Sequence, residues 1–188
     1  RLVQPTIDSE EVKSATKFIK TTFLTENKLS KEFEEKGFIV RNIEDMKSLS
    51  KIRKIFIKSM KKNLKLNNSY KNENDLLNLT HKNINANKLN SFRLKVINDI
   101  NKIKDLRNLY YKISKPLLDI ILGNELSMQL RINLSIQLPQ DESSLLPVHS
   151  DVWSGDSPFE TVVWLPLVNC YKTKSMFILP PSKYGKIK

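Results

Sequence analysis

The spacing of apolar residues changes near residue 125, and this change separates two kinds of predicted element. Before it, apolar side chains recur at intervals of three and four positions, the period of a helix with one buried face. This spacing predicts helices over residues 8–24, 29–36, 44–65 and 91–122, and a short strand at 38–43. Residues 67–90 are rich in Asn and Lys, and they predict a loop with one helical turn near Leu76. Within the last helix, Pro116 is expected to cause a kink or a division.

From residue 126 the period becomes two. The even positions 126–138 are all apolar and the odd positions between them are all polar. Strict alternation predicts a strand that is buried on one face and polar on the other. Further strands are predicted at 160–168 and 175–179, separated by turns. The pattern therefore predicts an α+β fold, with a mainly helical region at 1–125 and an incomplete β-structure at 126–188.

Composition restricts the classes of protein that fit. The chain has 188 residues, one cysteine, Cys170, and no apolar run long enough to span a membrane. We expect a cytoplasmic protein without an internal disulfide and without a membrane partner. The formal net charge is +12, and residues 51–65 carry seven basic residues and no acidic one. Aromatic residues are not interleaved among them as in a single-strand binder, so we interpret this run as a solvated helix face and expect no nucleic-acid partner.

The sequence His149-Ser150-Asp151 is the motif with the clearest chemical meaning. Residues two apart on an extended chain project to the same side, so the imidazole and the carboxylate are expected to lie together. Two imidazoles and one carboxylate form the facial triad that holds non-haem Fe(II) with open positions. The chain has one other histidine, His81, which lies upstream in loop-like sequence and is a poor candidate for the second imidazole.

The residues around this motif resemble the phytanoyl-CoA dioxygenase family, especially bacterial members of carbohydrate-biosynthesis clusters. The resemblance is weak at 33–43 and good at 126–185. It rests on these stretches: Phe-Glu-Glu-Lys-Gly-Phe-Ile-Val-Arg, Leu-Ser-Ile-Gln-Leu-Pro, His-Ser-Asp-Val-Trp-Ser-Gly-Asp-Ser-Pro-Phe-Glu, Val-Val-Trp-Leu-Pro-Leu and Phe-Ile-Leu-Pro-Pro-Ser-Lys-Tyr-Gly. The resemblance implies a double-stranded β-helix, Fe(II) and 2-oxoglutarate as cofactors, and hydroxylation of a small molecule such as a sugar or nucleotide-sugar.

Carried over by position, the resemblance makes His149 and Asp151 the first two iron ligands. Trp164 matches a position that lines the 2-oxoglutarate pocket. Lys174 begins a predicted strand near the metal end, and some related oxygenases use a lysine on a neighbouring strand to pair with the 2-oxoglutarate carboxylate; a surface lysine is the alternative. Gln137 lies on the polar face of the alternating strand, where a pocket role and a solvated role are both open. We therefore assign Gln137, Trp164 and Lys174 to cofactor binding as expectations.

The match is incomplete in two respects. The family turn Pro-Gly-Ser-His-Lys appears as Pro180-Pro-Ser-Lys, and the family places its distal iron histidine and a 2-oxoglutarate arginine well beyond this turn. We expect these residues beyond Lys188, and we expect residues 1–188 to be inactive by themselves. The alternative is a non-catalytic β-helix scaffold, or a basic binding module, without a complete metal site.

Overall fold

The computed structural model describes residues 9–66 and 72–186, and the regular elements in these ranges are helices. Five α-helices occur there: α1 (Ser9–Lys36), α2 (Met46–Leu64), α3 (Glu73–Asn78), α4 (Ala86–Ile100) and α5 (Leu106–Ile121). Short 3₁₀ turns lie at Thr80–Lys82, Glu142–Ser144, Asp151–Ser154, Lys172–Lys174 and Pro181–Lys186. The predicted helices 8–24 and 29–36 are parts of the single helix α1.

The predicted α+β fold with a double-stranded β-helix is wrong, because residues 9–66 and 72–186 contain no β-strand. The segments at 38–43, 126–138, 160–168 and 175–179 follow irregular paths without the backbone ladders that define a sheet.

The chain divides into two compact units, each built from separate stretches of sequence. The second unit comprises residues 43–115 and 127–175. Its core consists of apolar side chains from α2, α3, α4 and α5 together with Ile132. The most deeply buried members are Ile52, Leu76, Val96, Ile100 and Leu106.

Helix α2 is fixed at both ends by local interactions. The Asp45 carboxylate accepts hydrogen bonds from the Ser48 backbone N–H at 3.0 Å and from the Ser48 hydroxyl at 2.7 Å, and it pairs with Lys112 Nζ at 3.0 Å. The Ser48 backbone bond, followed by the Ser48 hydroxyl and Lys112, holds the pKa of Asp45 well below its usual range. At the other end, Lys65 takes a left-handed conformation with φ +55°, and its N–H reaches the last carbonyls of the helix.

The extended segment 126–138 shows why alternation did not produce a strand. Ile132 is buried, and Met128, Leu134 and Ile136 pack against the core, whereas the odd positions 127–137 are exposed. The alternation therefore predicts the buried face correctly, with Leu130 as an exposed exception. The backbone, however, is paired with side chains of the helices.

Asn101, which caps α4, and Arg107 of α5 supply this pairing. The Asn101 amide accepts from the Ile132 N–H at 2.8 Å and donates to the Ile132 carbonyl at 2.9 Å, in the manner of a neighbouring peptide group. Arg107 donates to the carbonyls of Met128 and Gln129 at 2.9 and 3.1 Å. These bonds satisfy part of the backbone that a sheet partner would otherwise occupy.

The predicted helix 91–122 is divided, but not at Pro116. It ends at Ile100 and begins again at Leu106, and Pro116 lies within α5. Asn101 caps α4 at this break, since its side chain also donates to the Ile97 carbonyl at 2.8 Å. The residue at the break, Asn101, thus bonds both to α4 and to the distant Ile132.

The first unit comprises residues 1–42, 116–126 and 176–188, of which 9–42, 116–126 and 176–186 are described. Helix α1 ends at Lys36, and the following residue, Gly37, has φ +74° and donates from its N–H to the Phe33 carbonyl at 2.7 Å. A Cβ at this glycine would lie 3.2 Å from Pro181 Cδ, so a larger residue here would require Pro181 to shift slightly, in addition to adopting the left-handed backbone. Hydrogen bonds from Arg41 and Lys36 lower the pKa of Glu32 to about 2.

Candidate metal site

His149 and Asp151 lie in the part of the second unit that follows the extended segment. We call residues 139–175 the site segment. A 3₁₀ turn at Glu142–Ser144 precedes the pair, and Ser150 between the two residues is extended, with φ −121° and ψ 138°. Asp151 then opens the turn Asp151–Ser154, which Gly155 closes with φ +97°. The extended Ser150 explains how side chains two positions apart come to lie together.

The geometry of the pair defines the role of each histidine nitrogen. His149 Nδ1 lies 2.7 Å from the Pro147 carbonyl oxygen, and His149 Nε2 lies 3.5 Å from Asp151 Oδ1. A carbonyl oxygen only accepts, so Nδ1 carries the proton. In the neutral imidazole, Nε2 then presents its lone pair towards a carboxylate oxygen that is also an acceptor.

This arrangement is chemically suited to a shared cation. Two lone-pair donors that face each other are stabilised either by a proton on Nε2, which gives an ion pair, or by a metal ion bound to both. The side chains of His149 and Asp151 are 41% and 52% exposed, so solvent and ions reach both. The donor set, one imidazole nitrogen and one carboxylate oxygen, fits two of the three positions of the facial triad.

The third position is not supplied within the part of the chain that the structure describes, where no group of three His, Cys, Asp or Glu side chains could hold a metal ion. His81 lies in the turn Thr80–Lys82, in a hollow of about 340 Å³ that it shares with Lys82 and Lys88 among others. His149 and Asp151 do not line this hollow. The pair therefore matches two of the three protein ligands of the iron triad, and the described residues do not supply the third.

Among the described residues, no hydrogen bond joins Gln137, Trp164 or Lys174 to His149 or Asp151. Gln137 is exposed, and Lys174 Nζ donates to Asn78 Oδ1 of α3 at 2.6 Å. Trp164 is 46% exposed and follows Val163, whose carbonyl accepts from the Tyr110 hydroxyl at 2.7 Å. Their roles towards 2-oxoglutarate stay predictions.

The pattern of residue types did not reveal the part played by Pro147. Its contribution is a backbone carbonyl, which every residue carries, so no residue type signals it. Its position two residues before His149 is a weak indication of this role, because the Nδ1 of a histidine often bonds to a nearby backbone oxygen when Nε2 serves as a ligand.

Comparison with known proteins yields no relative: no family model, no curated protein and no solved structure matches this chain. Among the described residues, none of the helices combines the length and apolar character that crossing a membrane requires.

Proposed function

We propose that this chain contributes His149 and Asp151 to the iron site of a Fe(II)- and 2-oxoglutarate-dependent oxygenase. The observation that carries the proposal is the orientation of His149. The bond between Nδ1 and the Pro147 carbonyl keeps the proton on Nδ1 and directs Nε2 towards Asp151 Oδ1, 3.5 Å away. Outer hydrogen bonds of this kind orient histidine ligands in metal sites.

The residues of the chain have distinct tasks in this proposal. His149 and Asp151 bind the metal, and Pro147 holds the imidazole in the required tautomer. Bound Fe(II) with 2-oxoglutarate would supply the oxidising power to hydroxylate an unactivated C–H bond. The sequence resemblance supports a small-molecule substrate of the sugar or nucleotide-sugar class. The single cysteine, Cys170, supports a cytoplasmic location in which it stays reduced.

Metal affinity distinguishes this proposal from a simple surface ion pair between His149 and Asp151. Fe(II) or Co(II) is titrated anaerobically by calorimetry into the chain and into its His149→Ala and Asp151→Asn variants. Loss of an outer partner alone weakens metal sites by about 10–100-fold, so loss of either ligand is expected to weaken binding by at least about tenfold. His81→Ala is the matched control, because it removes the other histidine of the chain and should leave the affinity unchanged.

Two results would contradict the metal site. One is an unchanged affinity in both His149→Ala and Asp151→Asn. The other is an equal loss in His81→Ala, which would indicate non-specific binding to imidazole.

The oxygenase part of the proposal needs a separate measurement. Release of succinate from 2-oxoglutarate is followed with the longest open reading frame that contains these residues. We expect release that depends on iron and disappears in His149→Ala. Specific metal binding without iron-dependent succinate would retain the metal site and reject the oxygenase.

A further inference from the structure

Helix α2 carries a row of lysines along one side. We call Lys47, Lys51, Lys54, Lys58 and Lys61 the lysine stripe. Their spacing alternates between four and three residues, and at 3.6 residues per turn it places all five within an arc of about 80°. From first to last they extend along about 21 Å of the helix axis.

The core fixes the direction in which this stripe points. Ile52, Phe56 and Met60, on the other side of α2, are buried in the second unit. The stripe lysines are exposed, except for Lys61, which is half-buried. Packing therefore prevents α2 from rotating and holds the five ammonium groups on the outer surface.

The lysine stripe also lacks compensating charge. Helix α2 contains no Asp or Glu, and none of its five stripe lysines forms an ion pair or hydrogen bond with a side chain that the structure describes. Neighbouring basic residues outside the stripe do have partners: Lys62 pairs with Asp99 at 3.0 Å, and Arg53 donates to Asn74.

Two acidic side chains that contact α2 are already engaged, and Glu44, which precedes the helix, forms no ion pair with the stripe among the described residues. Asp99 interacts with Lys62 and Asn63, which lower its pKa, and Asp45 is held by Ser48 and Lys112. Like charges three and four positions apart repel each other, so the stripe is a surface that a polyanion would stabilise.

The side chains of the stripe favour one type of polyanion. A single-stranded nucleic acid is bound with aromatic side chains that stack on bases, and the stripe has none. A membrane-surface helix inserts its apolar face among lipids, but the apolar face of α2 is buried in the core. Lysine ammonium groups bind phosphates as point charges and carry little information about base sequence.

We propose that the lysine stripe binds the phosphate backbone of double-stranded nucleic acid without sequence preference. Along 21 Å of its axis, a duplex carries about twelve phosphates on its two strands, and the phosphates on the side that faces the protein are the ones within reach of the five lysines. This inference does not rest on the proposed iron site. It goes beyond the sequence interpretation of a solvated helix face because the structure shows which lysines lie together and which have partners.

The test compares two triple variants with the same loss of charge. Lys51, Lys54 and Lys58 are replaced by Gln in the first, and Lys88, Lys95 and Lys104, which are exposed elsewhere in the second unit, are replaced by Gln in the control. Lys and Gln have similar helix propensities, so both variants should keep the fold, which circular dichroism verifies. Binding to a fluorescein-labelled duplex of roughly 20 base pairs is measured by anisotropy over a range of salt concentrations.

With five phosphate contacts, the slope of log affinity against log salt is expected to be about −4.5 for the unaltered chain and about −1.8 for the stripe variant. The stripe variant should bind at least about tenfold more weakly at low salt, and the control should keep the original slope. A second duplex of unrelated sequence should give the same values.

Three outcomes would overturn the proposal. Equal losses in the two triple variants would assign binding to the net charge of the chain. A strong difference between the two duplexes would contradict recognition of the backbone alone. Stripe-dependent binding to phosphatidylserine–phosphatidylcholine vesicles, without stripe-dependent binding to the duplex, would identify a lipid surface instead.

Discussion

The helices of the second unit and the site segment differ in how their apolar side chains are used. In the helices, Ile52, Val96 and Ile100 are fully buried. In the site segment, Phe159 and Val148 are 89% and 80% exposed. The stability of this unit therefore comes mainly from α2, α3, α4 and α5, and the candidate metal ligands lie in a segment that adds little to it.

Few contacts attach the site segment to the helices. Leu165 and Leu167 of the site segment pack against the core, and single hydrogen bonds from Tyr110 to Val163 and from Lys174 to Asn78 connect it to the helices. The site segment itself contains short 3₁₀ turns and no α-helix, so it has no continuous ladder of backbone hydrogen bonds. Substitutions in the two regions should therefore have very different effects.

The largest expected difference concerns a matched pair of phenylalanines. Phe56 is buried in the core of α2, so Phe56→Ala should lower the free energy of unfolding by about 3–5 kcal/mol. Phe159→Ala should change it by less than about 0.5 kcal/mol, because the ring is already in solvent. Urea unfolding measures both values, and similar losses would contradict the division into a stabilising and a non-stabilising region.

An intermediate effect is expected where the extended segment joins the helices. Asn101→Ala removes the amide that pairs with the N–H and carbonyl of Ile132, and should lower the free energy of unfolding by about 1–3 kcal/mol. Asn133→Ala is the control, since Asn133 is exposed next to the same backbone. If the two substitutions lower the free energy of unfolding equally, the bonds from Asn101 to Ile132 do not hold this segment.

A smaller effect is expected where a helix holds the site segment. Tyr110→Phe removes the hydrogen bond to the Val163 carbonyl and should cost about 1 kcal/mol. Burial raises the pKa of Tyr110 to about 12, above its usual value of 10.0. The neutral phenol is therefore favoured in the folded state, and its contribution is present below pH 10 and lost as the pH rises towards 12.

Urea unfolding at about pH 9 and about pH 11 checks this dependence. Between these two pH values, the free energy of unfolding of the unaltered protein should fall by more than that of the Tyr110→Phe variant. An identical loss in both proteins would show that the hydroxyl is not held in a buried environment.

Parts of the fold follow directly from local sequence. Apolar residues at helical spacing predicted α2, and Asp45 provides its N-terminal cap. The left-handed position after α2 was harder to foresee, because Lys65 occupies it where glycine is common. Local periodicity is informative here since each helix satisfies its own backbone hydrogen bonds.

The errors occur where the partner of a segment is distant in sequence. Alternation at 126–138 predicted which side chains face inwards. A strand also needs the backbone of a neighbouring strand, and here the side chains of Asn101 and Arg107 form some of the hydrogen bonds that such a strand would form. The spacing of His149 and Asp151 likewise predicted that they lie on the same side. The Pro147 carbonyl that orients His149 could not be read from residue type.

Imidazole NMR with Mn(II) is the most direct test of the metal pair, because the chain has only two histidines. Mn(II) is added in small steps while the ring signals of both are observed. We predict that the signals of His149 broaden at metal concentrations that leave His81 sharp, and that Asp151→Asn removes this difference. Equal broadening of both histidines, or selective broadening of His81, would contradict a metal site at His149 and Asp151.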